Sequence, residues 1–372
     1  MSQINVDAIR ASNGTGDAIS FTASDKTCTA NITNFPHRNL IINGAMQVAQ
    51  RADLTTAADG YGAVDRWYLY NAGDGRATIT QSTDVPSTKE FKYSYKLDVT
   101  TADTAGASSR GWVGQWLEAR DSGVTLKGTS AAKKITVQFW VKSPKTGTHI
   151  VSLDDNDATD HSTSRFINAT YTVSTANTWE KKTVTFAGDT TGVFNTTTGR
   201  GLLLVFRLVQ GSNSTSGALA TSWADYALAN EGAGQVNVLD NTSNDFYLTG
   251  VQMELGDYGT DFEHLPYETE LAKCQRYHQK IDFYKYNGAP STYDYWCDTV
   301  QLRPSMRATP TLDKTTDINV DTGTGSFKIS NGTVATDGAV IDRASTECVI
   351  FKQKDGYNWS WNTIRMHFSS EL

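Results

Sequence analysis

Clustered positive charge is the first thing this sequence lacks. Against 33 Lys and Arg stand 40 Asp and Glu, a formal charge of −7 over 372 residues. Nowhere do basic residues gather into the patch needed to displace counterions from a nucleic acid, so none is expected as a partner. The pairs Lys133-Lys134 and Lys181-Lys182 open strand-like runs and read as solvated strand ends. Cysteine is sparse too. Cys28, Cys274, Cys297 and Cys348 are spread along the chain without a CxxC, which argues against a zinc cluster or a disulfide framework and fits reduced thiols in a protein made in a cytoplasm. No apolar run is long enough to span a bilayer, and the opening MSQINVDAIR has no signal-peptide core, so neither membrane insertion nor a leader is expected. There is no GxSxG, no cysteine in a recognisable protease context, and no HxxxH or HxH spacing.

What is present is β-structure. With 38% hydrophobic and 20% charged residues, the chain can bury cores and is long enough for two or three domains. Helix formers are scarce, while Thr, Ser, Gly, Asn and Asp crowd between short β-rich runs. In KITVQFWVK, Ile135, Val137, Phe139 and Val141 share one face and Thr136, Gln138 and Trp140 the other. The run GLLLVFRLVQ, from Gly201 to Gln210, is apolar on both faces apart from Arg207, as in a strand covered on both sides. In TGVQMELG, Val251, Met253 and Leu255 alternate with Gln252, Glu254 and Gly256. Pro266, with Glu268 and Glu270 behind it, then opens a helix. Further strand candidates are Thr299–Leu302, Ser326–Ser330, Cys348–Lys352 and Thr363–Phe368.

The segment Thr249–Tyr277, together with NLIINGAMQVAQR at Asn39–Arg51 and DRWYLY at Asp65–Tyr70, resembles bacteriophage tail-fibre and related virion proteins that carry a carbohydrate-binding-module-like jelly roll followed by a C-terminal tip. The resemblance runs from Asn39 to Tyr277. Combined with the residue reading, it implies a mainly β chain in four parts. Residues 1–38 form an N-terminal segment attaching to other virion proteins, since they hold too few apolar residues for a core of their own. Residues 39–265 form an antiparallel β-sandwich of jelly-roll type, 266–289 a helix and linker, and 290–372 a small C-terminal β tip. The resemblance also implies location in a virion, a homotrimer, and binding to host cell-surface polysaccharide by multivalent, non-covalent contacts. A head fibre or connector with a purely structural role is one alternative, and a polysaccharide-degrading enzyme is another; no carboxylate pair separates itself from solvated turns as a glycosidase site.

Aromatic residues supply the candidate sites. Sugar C–H faces lie on Trp and Tyr rings while hydroxyls take hydrogen bonds from neighbouring polar groups, which singles out Trp140 with Gln138, and Trp112 with Trp116, as glycan-binding candidates; Trp67 and Trp179 read as core. Tyr284, Tyr286, Tyr293, Tyr295 and Trp296, with Trp359 and Trp361, suit a receptor face or a subunit interface. Leu271, Cys274, His278 and Ile281, spaced 3, 4 and 3, fall along one stripe of the helix after Pro266, an oligomer seam that could pack around a three-fold axis or equally against its own domain. No cofactor is expected beyond a structural Ca2+, whose weak candidates are Asp154, Asp155, Asp157 and Asp160 in LDDNDATDH, a loop that reads first as ordinary acidic surface because the EF-hand spacing fails.

Overall fold

The computed structural model describes residues 37–155, 164–194, 197–285, 297–312, 338–353 and 362–372, together with the strands at 8–10, 17–22, 27–30 and 328–330. The N-terminal strands β1 (Ala8–Arg10), β2 (Asp17–Thr22) and β3 (Thr27–Ala30) form a three-stranded antiparallel sheet.

The sandwich is built from β4 (Leu54–Ala57), β5 (Gly60–Tyr61), β6 (Tyr68–Asn71), β7 (Arg76–Ser82), β8 (Ser94–Thr101), β9 (Arg110–Glu118), β10 (Ile135–Lys142), β11 (Gly147–Asp155), β12 (Arg165–Val173), β13 (Glu180–Phe186), β14 (Arg200–Gln210), β15 (Ala224–Asp225) and β16 (Asp245–Leu255). Six of these pair in the order β13-β10-β16-β8-β7-β4 and seven in the order β15-β12-β11-β14-β9-β6-β5, all antiparallel. The chain passes repeatedly from one sheet to the other, as in a jelly roll, with β5-β6, β7-β8 and β11-β12 pairing as neighbours within a sheet. The core between the sheets holds Val251 and Met253 as the alternation predicts, while Leu255 at the end of β16 is exposed. Val137, Phe139 and Val141 meet Val113, Leu204 and Phe206, all fully buried, and Trp67 is 0% exposed.

Two of the motifs quoted above are halves of one knot. Asn43, held at a left-handed φ of 59°, donates from its amide to the carbonyls of Val48 (2.9 Å) and Asp65 (3.0 Å) and accepts from the Val48 N–H, while Trp67 Nε1 donates to the Asn43 carbonyl. Gly44 follows because its backbone passes against β16: the Val251 N–H donates to the Gly44 carbonyl at 2.9 Å, and a Cβ on Gly44 would lie 2.1 Å from the Val251 oxygen. Gly44→Ala is therefore expected to lower stability by about 1–3 kcal/mol through forced backbone displacement, read as a lower urea midpoint at unchanged slope.

The helix Tyr267–Gln275 begins after Pro266, as expected, but stops earlier than the seam requires. His278 and Ile281 belong to β17 (His278–Lys285), which pairs along its full length with the last strand of the chain. Leu271, Cys274, His278 and Ile281 therefore do not form a helical stripe. Cys274 and His278 are buried within the chain, and residues 278–285, expected as linker, form a strand. The remaining strands are β18 (Cys297–Gln301), β19 (Thr311–Leu312), β20 (Lys328–Ser330), β21 (Gly338–Ala344), β22 (Cys348–Gln353) and β23 (Asn362–Ser369), in sheets ordered β17-β23-β19 and β18-β22-β21-β20.

The exit from β23 docks on the sandwich. Glu371 pairs with the buried Arg51 (3.0 Å) and Arg66. Arg66 also donates to the Trp116 carbonyl and lies 3.5 Å from the centre of the Tyr277 ring. Glu118, with no exposed side-chain surface, accepts from Arg276 Nε and Nη2 (2.7 and 3.0 Å) and from Tyr277 Oη (2.7 Å). Arg307 donates to the Thr198, Ser370 and Glu371 carbonyls.

Candidate functional site

The outer face of the seven-stranded sheet carries a continuous aromatic cluster. In β9 the alternation turns Val113 and Leu117 into the core and Trp112, Gly114 and Trp116 outward; in β6 it turns Leu69 inward and Tyr68 and Tyr70 outward. Register then decides which of these meet. Tyr70 lies opposite Trp112 and stacks on it (5.3 Å, 25°), and Tyr68 lies opposite Gly114. With no side chain at Gly114, the Tyr68 ring reaches both tryptophans, at 5.9 and 5.3 Å. Trp112 and Trp116 meet edge to face at 5.5 Å, and Tyr61 extends the row from β5, 4.9 Å from Tyr68. Leu203 and Val205 of β14 form the floor, and Leu372 packs against the cluster while accepting from Tyr61 Oη at 3.2 Å.

The two tryptophans are brought together as the sequence suggests, yet they are the base of the cluster rather than its surface, at 8% and 5% exposure. Tyr61, Tyr68 and Tyr70 are half-buried and present the reachable rings. Polar groups stand at the rims. Tyr68 Oη donates to Asp59 (3.2 Å), and burial with the nearby Asp59 carboxylate pushes the Tyr68 phenol up to about 12. The exposed Arg200 holds its guanidinium 4.5 Å from the centre of the Trp116 ring.

Beyond Trp112 the same face becomes ionic. Arg207, opposite Trp112 and 1% exposed, donates from Nε to Ser152 Oγ (2.9 Å) and pairs with Asp154 and Glu231 at 3.4 Å each. Glu231 also takes two hydrogen bonds from Arg110, at 3.0 and 2.8 Å. Burial alone would raise Glu231, but Arg207 and Arg110 outweigh it and hold the carboxyl below its usual range. Burial pushes Asp154 up to about 6 against the weaker pull of Arg207. A carboxyl raised above its unfolded value favours the fold while protonated, so this contribution is fully present below the unfolded pKa and is lost as pH rises through 6. Relative to Asp154→Asn, the wild type is expected to lose stability between about pH 4 and pH 7; parallel urea midpoints across that range would contradict it.

Asp154 and Asp155 are thus occupied by cations, Arg207 and Lys127 (2.9 Å) respectively, and do not form an open Ca2+ shell; Asp157 and Asp160 lie outside the described residues. Among the described residues no group of three or more His, Cys, Asp or Glu could hold a metal ion.

The face around Trp140 differs from the sequence reading. Trp140 is half-buried on the outer face of the six-stranded sheet, but Gln138 is buried at 3% exposure, donating to the Thr260 carbonyl. The segment 256–263 lies across this part of the sheet like a strap. Glu254 accepts from the Thr260 N–H and Oγ1, and the Glu263 N–H donates to Gln252 Oε1. Gln138 cannot reach a ligand beneath it. Trp179, expected in the core, is instead half-buried at the surface, its Nε1 donating to Asp84 and its ring 6.1 Å from Tyr247. Tyr284 lies in β17, where only the backbone is described; Tyr286, Tyr293, Tyr295, Trp296, Trp359 and Trp361 fall outside the described residues.

No protein-family model matches the chain, and no curated protein matches it. Solved structures with a similar arrangement include the enzymatically active domain of tailspike protein 4 of bacteriophage CBA120, with 15% identity and a TM-score of 0.34 over 60% of this chain and 22% of that one. The family 11 carbohydrate-binding module of the cellulosomal cellulase Lic26A-Cel5E of Clostridium thermocellum matches over 57% of this chain and 99% of its own, with 10% identity and a TM-score of 0.29. TmCBM61, solved in complex with β-1,4-galactotriose, matches over 59% and 99%, with 8% identity and a TM-score of 0.28. The chain spans about a fifth of the tailspike chain.

Proposed function

We propose that this protein binds polysaccharide without cleaving it, through the aromatic face of the seven-stranded sheet, and that it does so as a trimeric fibre on a phage virion. The observation that carries the binding reading is the row Tyr61, Tyr68, Tyr70, Trp112 and Trp116 on one outer sheet face, flanked by Asp59 and Arg200. Rings locked edge to face offer sugar C–H surfaces at little entropic cost, and the rim groups suit hydroxyls. A non-catalytic role is supported by the state of the buried carboxylate beside it. Glu231 has no exposed side-chain surface and is committed to two arginines, which leaves it unable to serve as a nucleophile or base. The virion and trimer parts rest on the resemblance of residues 39–277 to tail-fibre proteins. Three weak sites on one body would raise avidity by effective concentration.

Adsorption of labelled full-length protein to bacterial cells, competed with polysaccharide extracted from those cells, tests the reading alongside sedimentation. The expected result is a trimer whose adsorption the polysaccharide abolishes. A monomer overturns the fibre reading, and adsorption indifferent to polysaccharide overturns the binding reading.

A further inference from the structure

We propose that the ligand is a carboxylated polysaccharide and that Arg200 is the residue that reads its acid group; this rests on the binding reading above. Most arginines near the sandwich are neutralised in place: Arg51 and Arg66 by Glu371, Arg110 and Arg207 by Glu231, Arg120 and Arg276 by Glu118, Arg165 by Asp189. Arg200 is different. Its cross-strand neighbour is Glu118, the obvious counter-ion, but that carboxylate is withdrawn from the surface and taken up by Arg276, Arg120 and Tyr277. Among the described residues no carboxylate stands within ion-pair distance of Arg200. The contact that orients its guanidinium is the Trp116 ring at 4.5 Å.

An arginine held this way is pre-set for an anion. Stacking on a ring fixes the plane of the guanidinium and leaves its in-plane N–H donors pointing outward, where they match the two oxygens of a carboxylate. The ring system beneath is the one proposed to carry sugar rings, so a hexuronate lying on Tyr68 and Tyr70 would direct its acid group to one rim. Asp59, held by the Tyr68 hydroxyl, adds an acceptor suited to sugar hydroxyls.

The test is affinity electrophoresis of the full-length protein through gels containing polygalacturonate, alginate or hyaluronate, each beside its carboxyl-reduced, neutral form. Wild-type protein is expected to be retarded by at least one carboxylated polymer and at least about tenfold less by the neutral form of that polymer, the effect of losing one charge-assisted contact. Arg200→Ala should lose the same factor on the acid and nothing on the neutral polymer, and Arg200→Lys should recover only part because it keeps the charge without the planar fork. Because Arg200 is exposed, these variants should unfold with the wild type, which a thermal melt verifies. Equal retardation by acidic and neutral forms, with Arg200→Ala unchanged and Tyr70→Ala impaired, would overturn the role of Arg200 while leaving the polysaccharide reading in place. Retardation by none of the polymers would overturn the carboxylated-ligand proposal, and retardation unaffected by Tyr70→Ala would overturn the aromatic-face reading beneath it.

Discussion

Glu371→Gln is expected to destabilise the protein by about 3–5 kcal/mol, because it removes the counter-ion from two arginines that stay buried. Arg51 and Arg66 have 2% and 1% of their side chains exposed, so water cannot replace the lost partner. Arg51 keeps the longer 3.6 Å contact to Asp65 and the Tyr61 ring at 5.2 Å, and Arg66 keeps the Trp116 carbonyl and the Tyr277 ring. On an ordinary unfolding entropy this corresponds to a midpoint lower by about 10 °C in a thermal melt. Leu372→Ala, which trims packing but no charge, should move it far less. Equal melts for Glu371→Gln and wild type would mean that the exit of β23 is not docked as described. The same geometry bears on truncation: a chain ending at His264 would lose Glu371, Arg276 and Tyr277 together, leaving buried Arg66 without a carboxylate, Arg51 with Asp65 alone and Glu118 with Arg120 alone, so loss of binding in such a fragment would report misfolding as readily as loss of a site.

Trp112→Ala is expected to lower stability and ligand affinity together, and Tyr70→Ala affinity alone. Trp112 touches Tyr68, Tyr70 and Trp116 and is 8% exposed, so truncation opens a cavity costing about 3 kcal/mol or more. Tyr70 rests on the outer side of that stack and is half-buried. Its removal should spare the melt, while loss of a ring that touches sugar should cost about 10- to 100-fold in affinity. Urea unfolding and polysaccharide titration of both variants separate the two effects. A Tyr70→Ala protein that binds like wild type would shift attention to Trp140 or Trp179.

How much of this was legible in the sequence depends on the range of the interaction. The two-sheet fold was, because period-2 alternation in KITVQFWVK and the doubly apolar GLLLVFRLVQ report local burial directly. Trp112 and Trp116 were legible as a pair because i and i+4 in a strand share a face. Tyr68 and Tyr70 were missed although the signal was there: with Trp67 assigned to the core, alternation in DRWYLY places both tyrosines outside. Gln138 was misread because the strap that covers it comes from residues 256–263, and nothing in β10 announces a cover. His278 and Ile281 continued a 3-4-3 spacing over too few residues to distinguish a helix from a helix that stops at Gln275 and a strand that follows. Arg200 could not have been singled out, since its stacking on Trp116 and the diversion of Glu118 to Arg276 both depend on register and on residues far apart in the chain.

A polysaccharide held on the aromatic face of the seven-stranded sheet would shield the backbone of the strands beneath it. Hydrogen–deuterium exchange of the full-length protein, with and without a saturating polysaccharide that it retains, tests it most directly. Slowed exchange is expected at residues 59–61, 68–71, 110–118 and 200–207 and nowhere else. Protection centred instead on Trp140, Trp179 and Tyr247, with β6 and β9 unchanged, would contradict it and place the ligand on the other sheet.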